Sequence, residues 1–343
     1  MANSGLATKV TTGEETPPVR SISYADAGIE ALREEMRRDS SIFYIGQGIG
    51  VRGGNWQQTR GLFAEFGGQR LRDTPISEIG QTGIGIGAAM AGSRPVVDIV
   101  FMDFVLEAIS QIIQQASTIH YISNGTIKVP LVIRAAMGGV RSSGPHHSHT
   151  FYSFFTHIPG LKVVVPAYPY DVKGLLKTSL HEDNPVMFLE HKSLYGSKGP
   201  VPEEEYSIPF GKAVIRREGC DATLVAVSMM VLRAMEAAEI LAKQGISVEV
   251  IDPRTVAPLD EEAVLNSVAK TGRLAIADEA YATCGFAAEI AALAAENALD
   301  ALDAPVRRIC ALPAPHAFSP SLDAEISPSV ERIVKEVTAL MRQ

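Results

Sequence analysis

Cysteine is scarce in this chain, and the few present do not form a pattern. Cys220, Cys284 and Cys310 are the only three in 343 residues. They lack the short spacings of a zinc site and read as reduced thiols of a cytosolic protein. Aromatic residues make up only 6%, with a single tryptophan. No run of about twenty apolar residues occurs, so no membrane span is expected. Basic residues nowhere cluster and the formal net charge is −8, which argues against nucleic-acid binding. The N-terminus has no basic stretch followed by an apolar core, so no secretory signal is expected. What is present is a composition 46% hydrophobic and 20% charged, enough for a large core and two domains of ordinary size. Abundant Gly and Ala suit tightly packed helices and close subunit contacts.

Residues 1–20 are small and polar without periodicity and are expected to be a disordered tail. Ser23 is a plausible N-cap with Asp26 in the first turn, and Ala25, Ile29, Leu32 and Met36 share one helical face. Strand and helix signals then alternate. Ile42–Ile45, Arg94–Phe101, Val129–Ala135, Lys162–Val165 and Val186–Glu190 read as strands. Val105–Ser123 and Asp171–His181 read as helices. This alternation predicts a mostly parallel sheet covered on both faces, in a domain over 21–195. Gly196, Gly199, Pro200, Pro202, three consecutive glutamates and Pro209 mark 196–212 as a linker. A second α/β pattern fills 213–343. Its strands are Ala222–Val227, Ser247–Ile251, Leu274–Ala277 and Val306–Ile309. Its helices are expected at Val231–Lys243, Asp260–Lys270, Phe286–Ala298 and Pro328–Met341, the last capped by Ser327.

The most informative segment is Asp73-Thr-Pro-Ile-Ser-Glu78-Ile-Gly80, followed at once by a run of small residues from Gly80 to Gly92. Small residues let a backbone and a flat ring approach closely. A carboxylate beside such a surface suits a group that hydrogen-bonds a heterocyclic cofactor and exchanges a proton with it. Position alone also allows a plain helix N-terminal carboxylate favoured by the dipole. The histidines gather in Gly144-Pro-His146-His147-Ser-His149. Three in four positions suggest a metal site or a polar active-site loop, although no helical ligand spacing and no adjacent acidic partner appear.

These segments resemble the beta subunit of the thiamine-diphosphate-dependent 2-oxo acid dehydrogenases, the first components of the pyruvate, branched-chain 2-oxo acid and acetoin dehydrogenase complexes. The resemblance runs from about Ile22 to the C-terminus. Its anchors are Asp73–Gly92, Arg94-Pro-Val-Val-Asp98, His147-Ser148, His157-Ile-Pro-Gly-Leu-Lys-Val-Val164, Asp171-Val-Lys-Gly-Leu-Leu176 and Asp183-Asn-Pro-Val186. It implies a doubly wound thiamine pyrimidine-binding domain and a C-terminal transketolase-like α/β domain. Glu78 is then the residue that hydrogen-bonds a ring nitrogen of the aminopyrimidine, while the cofactor performs the carbanion chemistry. Phe104 is placed against that ring and Ile76 lines it, with Val100 where relatives carry a longer side chain. His147 aligns with an active-site histidine that orients the 2-oxo acid or acyl group and manages protons during transfer to lipoamide. His149 stands where a glutamine is usual, and His146 is also unusual. Gln47, in Ile45-Gly-Gln-Gly, falls in a segment that normally carries one or two acidic residues and cannot itself exchange a proton near neutral pH. The backbone of Leu131, Ser179, Leu180, Glu182 and Asn184 matches a loop that binds a structural monovalent cation, such as K⁺, in relatives.

The Gly-Asp-Gly start of a Mg²⁺-diphosphate site is absent, and the Gly83–Gly87 run is neither a Walker sequence nor a convincing dinucleotide fingerprint. Half of a cofactor site is therefore expected here. The diphosphate and Mg²⁺ would be held by an alpha subunit in an α2β2 assembly, with a lipoyl acyltransferase core as the further partner. Glu190-His-Lys-Ser-Leu-Tyr195 and Ile208-Pro-Phe-Gly211 look more like acetoin or bacterial pyruvate members than branched-chain ones. Two other functions compete. A two-chain transketolase-like ketol transferase is opposed by the Asp73-Thr-Pro-Ile-Ser-Glu78 form of the motif. A silent scaffold subunit is opposed by Glu78 itself.

Overall fold

The structure is a computed structural model and describes residues 20–343. The tail expected over 1–20 lies, apart from Arg20, outside the described residues. In chain order the strands are β1 (Ser21–Ser23), β2 (Ile42–Gly46), β3 (Leu71–Asp73), β4 (Arg94–Phe101), β5 (Val132–Met137), β6 (Lys162–Val164), β7 (Val186–His191), β8 (Lys198–Pro200), β9 (Val214–Arg217), β10 (Ala222–Ala226), β11 (Val248–Asp252), β12 (Thr255–Ala257), β13 (Leu274–Tyr281) and β14 (Arg307–Ala311). The helices are α1 (Tyr24–Arg38), α2 (Leu62–Arg70), α3 (Glu78–Met90), α4 (Ile119–Ile122), α5 (Tyr152–Thr156), α6 (Pro169–His181), α7 (Met229–Ala242), α8 (Glu261–Thr271), α9 (Phe286–Asn297), α10 (Pro320–Ile326) and α11 (Val330–Leu340).

The first sheet runs β12-β6-β7-β5-β4-β2-β3 and the second β14-β13-β10-β11-β9. Within these two sheets all pairings are parallel except those of the edge strands β12 and β9, and β1 pairs antiparallel with β8 in a separate two-stranded sheet. Continuous burial along β5 and β7 follows from helices on both faces of a parallel sheet. Strand β12 comes from the second half yet extends the first sheet, and one apolar cluster runs from Met137 and Leu189 to Val227, Ile276 and Phe286. Asp171, buried at the start of α6, meets Arg216 and Arg254, and Arg216 also reaches Asp252 at 2.7 Å. The two halves are thus joined by both apolar packing and charge.

Helix starts follow local chemistry, with one correction. Ser23 accepts from Asp26 N at 3.1 Å, and Asp260 accepts from Ala263 N at 3.2 Å. The last helix, however, is capped by Ser329, which accepts from Arg332 N at 3.1 Å, rather than by Ser327. The Ser327 hydroxyl is taken by buried Glu279, to which it donates at 2.9 Å. The single helix expected over Val105–Ser123 is instead a 3-10 segment (Met102–Ala108), a π-helical segment (Gln111–Ala116) and α4. Such irregular turns recur at functional sites.

Close packing sets the position of α3. A Cβ on Gly85 would lie 2.4 Å from Val97 Cγ2, so only glycine lets α3 rest on β4. The start of α3, the end of β2 and the end of β4 then meet beyond the carboxyl ends of the parallel strands, where open α/β sheets form their crevices.

Candidate active site

The crevice is a cavity of about 540 Å³ lined by Gln47, Asn55, Ile76, Glu78, Val100, Phe101, Phe104 and Glu107. Glu78 is the first residue of α3 and is half-buried. Gln47 Nε2 donates to its Oε1 at 3.2 Å. The loop after β2 is pinned by Asp73, whose Oδ1 accepts from Ile49 N at 2.7 Å and Gly50 N at 3.2 Å. The residues flanking the Glu78 motif thus also fix its partner. Ile76 lies 81% exposed at the mouth, open to a covering surface.

Phe101 and Phe104 form the opposite wall, edge to face with centroids 5.9 Å apart. The His147 ring stands edge-on to both, at 4.7 Å from Phe101 and 5.5 Å from Phe104. Residues more than forty positions apart in sequence therefore converge. Trp56 packs edge-on to Phe101 at 5.7 Å and stacks on Tyr195 at 5.8 Å.

The three histidines have different surroundings. His146 is exposed. His149 Nδ1 lies 2.5 Å from Asp103 Oδ1, and its ring stacks on Phe151 at 4.3 Å. The acidic partner missing from the local sequence is supplied by Asp103, which also accepts from Ser148 N and His149 N at 3.2 and 3.3 Å. Burial acts to raise the Asp103 carboxyl, but the donors from His149 outweigh it and hold it below the usual range. Among the described residues no group of three or more His, Cys, Asp or Glu is arranged to hold a metal ion.

Beneath the site lies a buried polar network. Arg134 and Glu190 pair bidentately through two 2.8 Å bonds, at 2% and 1% exposure. Arg134 Nη1 also donates to Tyr44 Oη at 3.2 Å, and Tyr44 donates to Asp98 Oδ2 at 2.6 Å. Gln58 Nε2 reaches the same Asp98 oxygen at 2.9 Å and its Oε1 accepts from Trp56 N at 2.9 Å. The network ties β2, β4, β5 and β7 to the loop that carries Trp56.

The expected cation loop is already engaged. Arg94 Nη1 donates to the carbonyls of Leu180 at 3.1 Å and Glu182 at 3.0 Å. The Leu131 carbonyl accepts from Val186 N at 2.8 Å, and that of Ser179 from Glu182 N at 3.3 Å. Asn184 Nδ2 donates to Glu182 Oε1 at 3.1 Å. Each of these carbonyl oxygens keeps a second lone pair beside the hydrogen bond it accepts.

The relatives fit this geometry. Residues 20–198 match the family model of the transketolase pyrimidine-binding domain, and residues 211–333 that of the transketolase C-terminal domain. The chain is 43% identical to the acetoin:2,6-dichlorophenolindophenol oxidoreductase subunit beta of Bacillus subtilis (strain 168), across 94% of this chain and 98% of that protein. It belongs to the beta subunits of the thiamine-diphosphate-dependent 2-oxo acid and acetoin dehydrogenases. The mitochondrial pyruvate dehydrogenase E1 component subunit beta of Dictyostelium discoideum is 42% identical, over 93% of this chain and 91% of its own. The 2-oxoisovalerate dehydrogenase subunit beta of B. subtilis (strain 168) is 44% identical over 84% and 88%. These near-equal identities do not separate the substrates. A split-gene transketolase, solved as an inactive beta4 tetramer, shares the fold with a TM-score of 0.76 at 22% identity, over 94% of this chain and 98% of its own. As a beta subunit the chain depends on thiamine diphosphate, and no helix among its described residues is long and apolar enough to cross a membrane.

The sequence reading missed Asp103, Trp56, Asn55, Glu107 and Lys192. Asp103 stands beside Phe104 and carried a signal only as a charge inside an apolar stretch. Lys192 lies in the Glu190–Tyr195 motif, where nothing local distinguishes it from a surface lysine.

Proposed function

We propose that this beta chain supplies the pyrimidine half of a thiamine diphosphate site acting on acetoin or a small 2-oxo acid such as pyruvate, and passes the acyl group to lipoamide. The observation that carries the reading is that Glu78 and Phe104 line one cavity while His147 packs edge-on against the Phe101 and Phe104 rings of its wall. The fit is chemical: a carboxylate at a helix start, an aromatic wall and an open mouth suit a flat ring that must be hydrogen-bonded and stacked. Bound thiamine diphosphate supplies the carbanion chemistry next to the substrate carbonyl.

Glu78 holds a proton at the ring nitrogen of the aminopyrimidine. Gln47 engages one carboxylate oxygen and leaves the other for that contact. Phe104 and Ile76 keep the ring in place and exclude water. His147, held edge-on against the two phenylalanines, orients the acyl group and moves a proton during its transfer. The diphosphate and Mg²⁺ belong to an alpha subunit in an α2β2 assembly, because this sequence has no Gly-Asp-Gly. The acyltransferase core of the complex is the remaining partner.

The Glu190–Tyr195 and Ile208–Gly211 segments support acetoin or pyruvate over branched-chain acids. The test is to assay the assembled alpha–beta complex with acetoin, pyruvate and 2-oxoisovalerate, using a lipoyl domain as acceptor. Preference for 2-oxoisovalerate would overturn the substrate assignment. Turnover without any alpha subunit would overturn the shared site.

A further inference from the structure

Lys192 is a cation in an unusual place. It follows directly after β7 and is 4% exposed. Its Nζ donates to the carbonyl oxygen of His147 and lies 5.4 Å from the centre of the Phe101 ring. Among the described residues no carboxylate forms an ion pair with it. The acidic groups that face it are Asp103 in the Met102–Ala108 turn, Glu279 on β13 and Asp323 on α10, all acting through space.

Its backbone is held as firmly as its head group. The preceding residue, His191, sets its Nδ1 3.1 Å from Ser193 N and its Nε2 2.6 Å from Glu279 Oε2. Gly138 packs against the same ring so closely that a Cβ there would lie 1.9 Å from His191 Nε2. The second half of the chain thereby anchors the strand end from which Lys192 reaches into the first.

An ammonium removed from water without a charged partner destabilises a fold. A methionine or leucine would fill the space without that penalty. What the charge does gain is a grip on two parts of the site at once, the His147 backbone and the Phe101 face.

We propose that Lys192 is a positioning residue for acyl transfer, setting the His147 turn against the Phe101–Phe104 wall. The proposal rests on the role assigned above to His147. It gives a reason for a buried cation that folding alone does not require. Burial also pushes the Lys192 ammonium down to about 8, against the opposing pull of Asp103, Glu279 and Asp323. Its ordinary value is 10.5. The folded state therefore carries the full penalty of the charge below about 8, and the penalty fades as pH rises toward 10.5.

The experiment compares wild type, Lys192→Met and His147→Ala in the assembled alpha–beta complex. Thermal midpoints are measured at neutral pH and at about pH 10, together with kcat and KM for a lipoyl domain and for an artificial electron acceptor. Lys192→Met should keep or raise the midpoint at neutral pH, with the gain shrinking at the higher pH. Its lipoyl-dependent kcat should fall at least about tenfold with little change in KM. A lowered midpoint with both activities reduced in proportion would make Lys192 a plain structural strut and overturn the proposal. Wild-type lipoyl-dependent turnover in Lys192→Met, with His147→Ala impaired, would overturn it while sparing the role of His147. If His147→Ala also behaves like wild type, the reading on which the proposal rests falls first.

Discussion

The side-chain amide of Gln47 lies 3.2 Å from the Glu78 carboxylate, donating to Oε1. The amide cannot take or release a proton near neutral pH, so Glu78 has a fixed donor rather than a second acid as neighbour. Replacing Gln47 by Glu would set two carboxylates at hydrogen-bond distance. Such a pair resists double ionisation, and one apparent pKa rises. Gln47→Glu is therefore expected to move the acid limb of the pH–rate profile upward. A profile superimposable on wild type would mean that Gln47 does not touch the working carboxylate.

Glu78→Gln is expected to reduce turnover at least about a hundredfold, the scale of a lost acid–base group. The fold should survive. Glu78 is half-buried, and its only side-chain hydrogen bond among the described residues is with Gln47. Circular dichroism and sedimentation of the alpha–beta complex would check assembly alongside the rate. Near-normal turnover in a correctly assembled variant would refute the assignment.

Periodicity revealed much of this architecture because buried parallel strands and amphipathic helices repeat regularly. Val186–Glu190 and Asp260–Lys270 fall within about one residue of β7 and α8. What periodicity missed depends on tertiary partners. Ser327 followed by Pro328 reads as the cap in sequence, and only the distant Glu279, which takes its hydroxyl, leaves that role to Ser329. The same holds at the site. Glu78 and His147 stand in recognisable segments, whereas Asp103 and Lys192 matter through neighbours 46 and 45 positions away.

The histidines should separate by function, since only two of them meet the aromatic and acidic groups of the site. His147→Ala is expected to damage the lipoyl-dependent reaction most, by about a hundredfold, because its ring meets Phe101 and Phe104. His149→Ala should mainly alter preference among acetoin, pyruvate and longer 2-oxo acids, since its ring is committed to Asp103 and Phe151. His146→Ala should be close to silent, as that side chain is exposed. Rates with a lipoyl domain and with an artificial acceptor would distinguish the three. Equal losses in all of them would show that the 144–149 turn acts only as a structural unit.

Glu279 should carry part of the acid stability of the molecule. It accepts from His191 at 2.6 Å and from Ser327 at 2.9 Å. Burial alone would raise its carboxyl, but His191, Ser327 and the charge of Arg233 outweigh burial and hold it at about 2. The ordinary value is 4.5. A depressed carboxylate stabilises the folded state at pH values above its ordinary pKa, and that contribution is lost as pH falls through the folded value. The separation corresponds to an upper bound of about 3 kcal/mol. Glu279→Gln should therefore lower the free energy of urea unfolding by up to about 3 kcal/mol, evenly from about pH 5 to 7. Below about pH 4.5 the gap between variant and wild type should close progressively, because the wild-type fold loses what the amide never had. A gap that stays constant down to about pH 3 would assign the effect to packing around His191 and Gly138 rather than to charge.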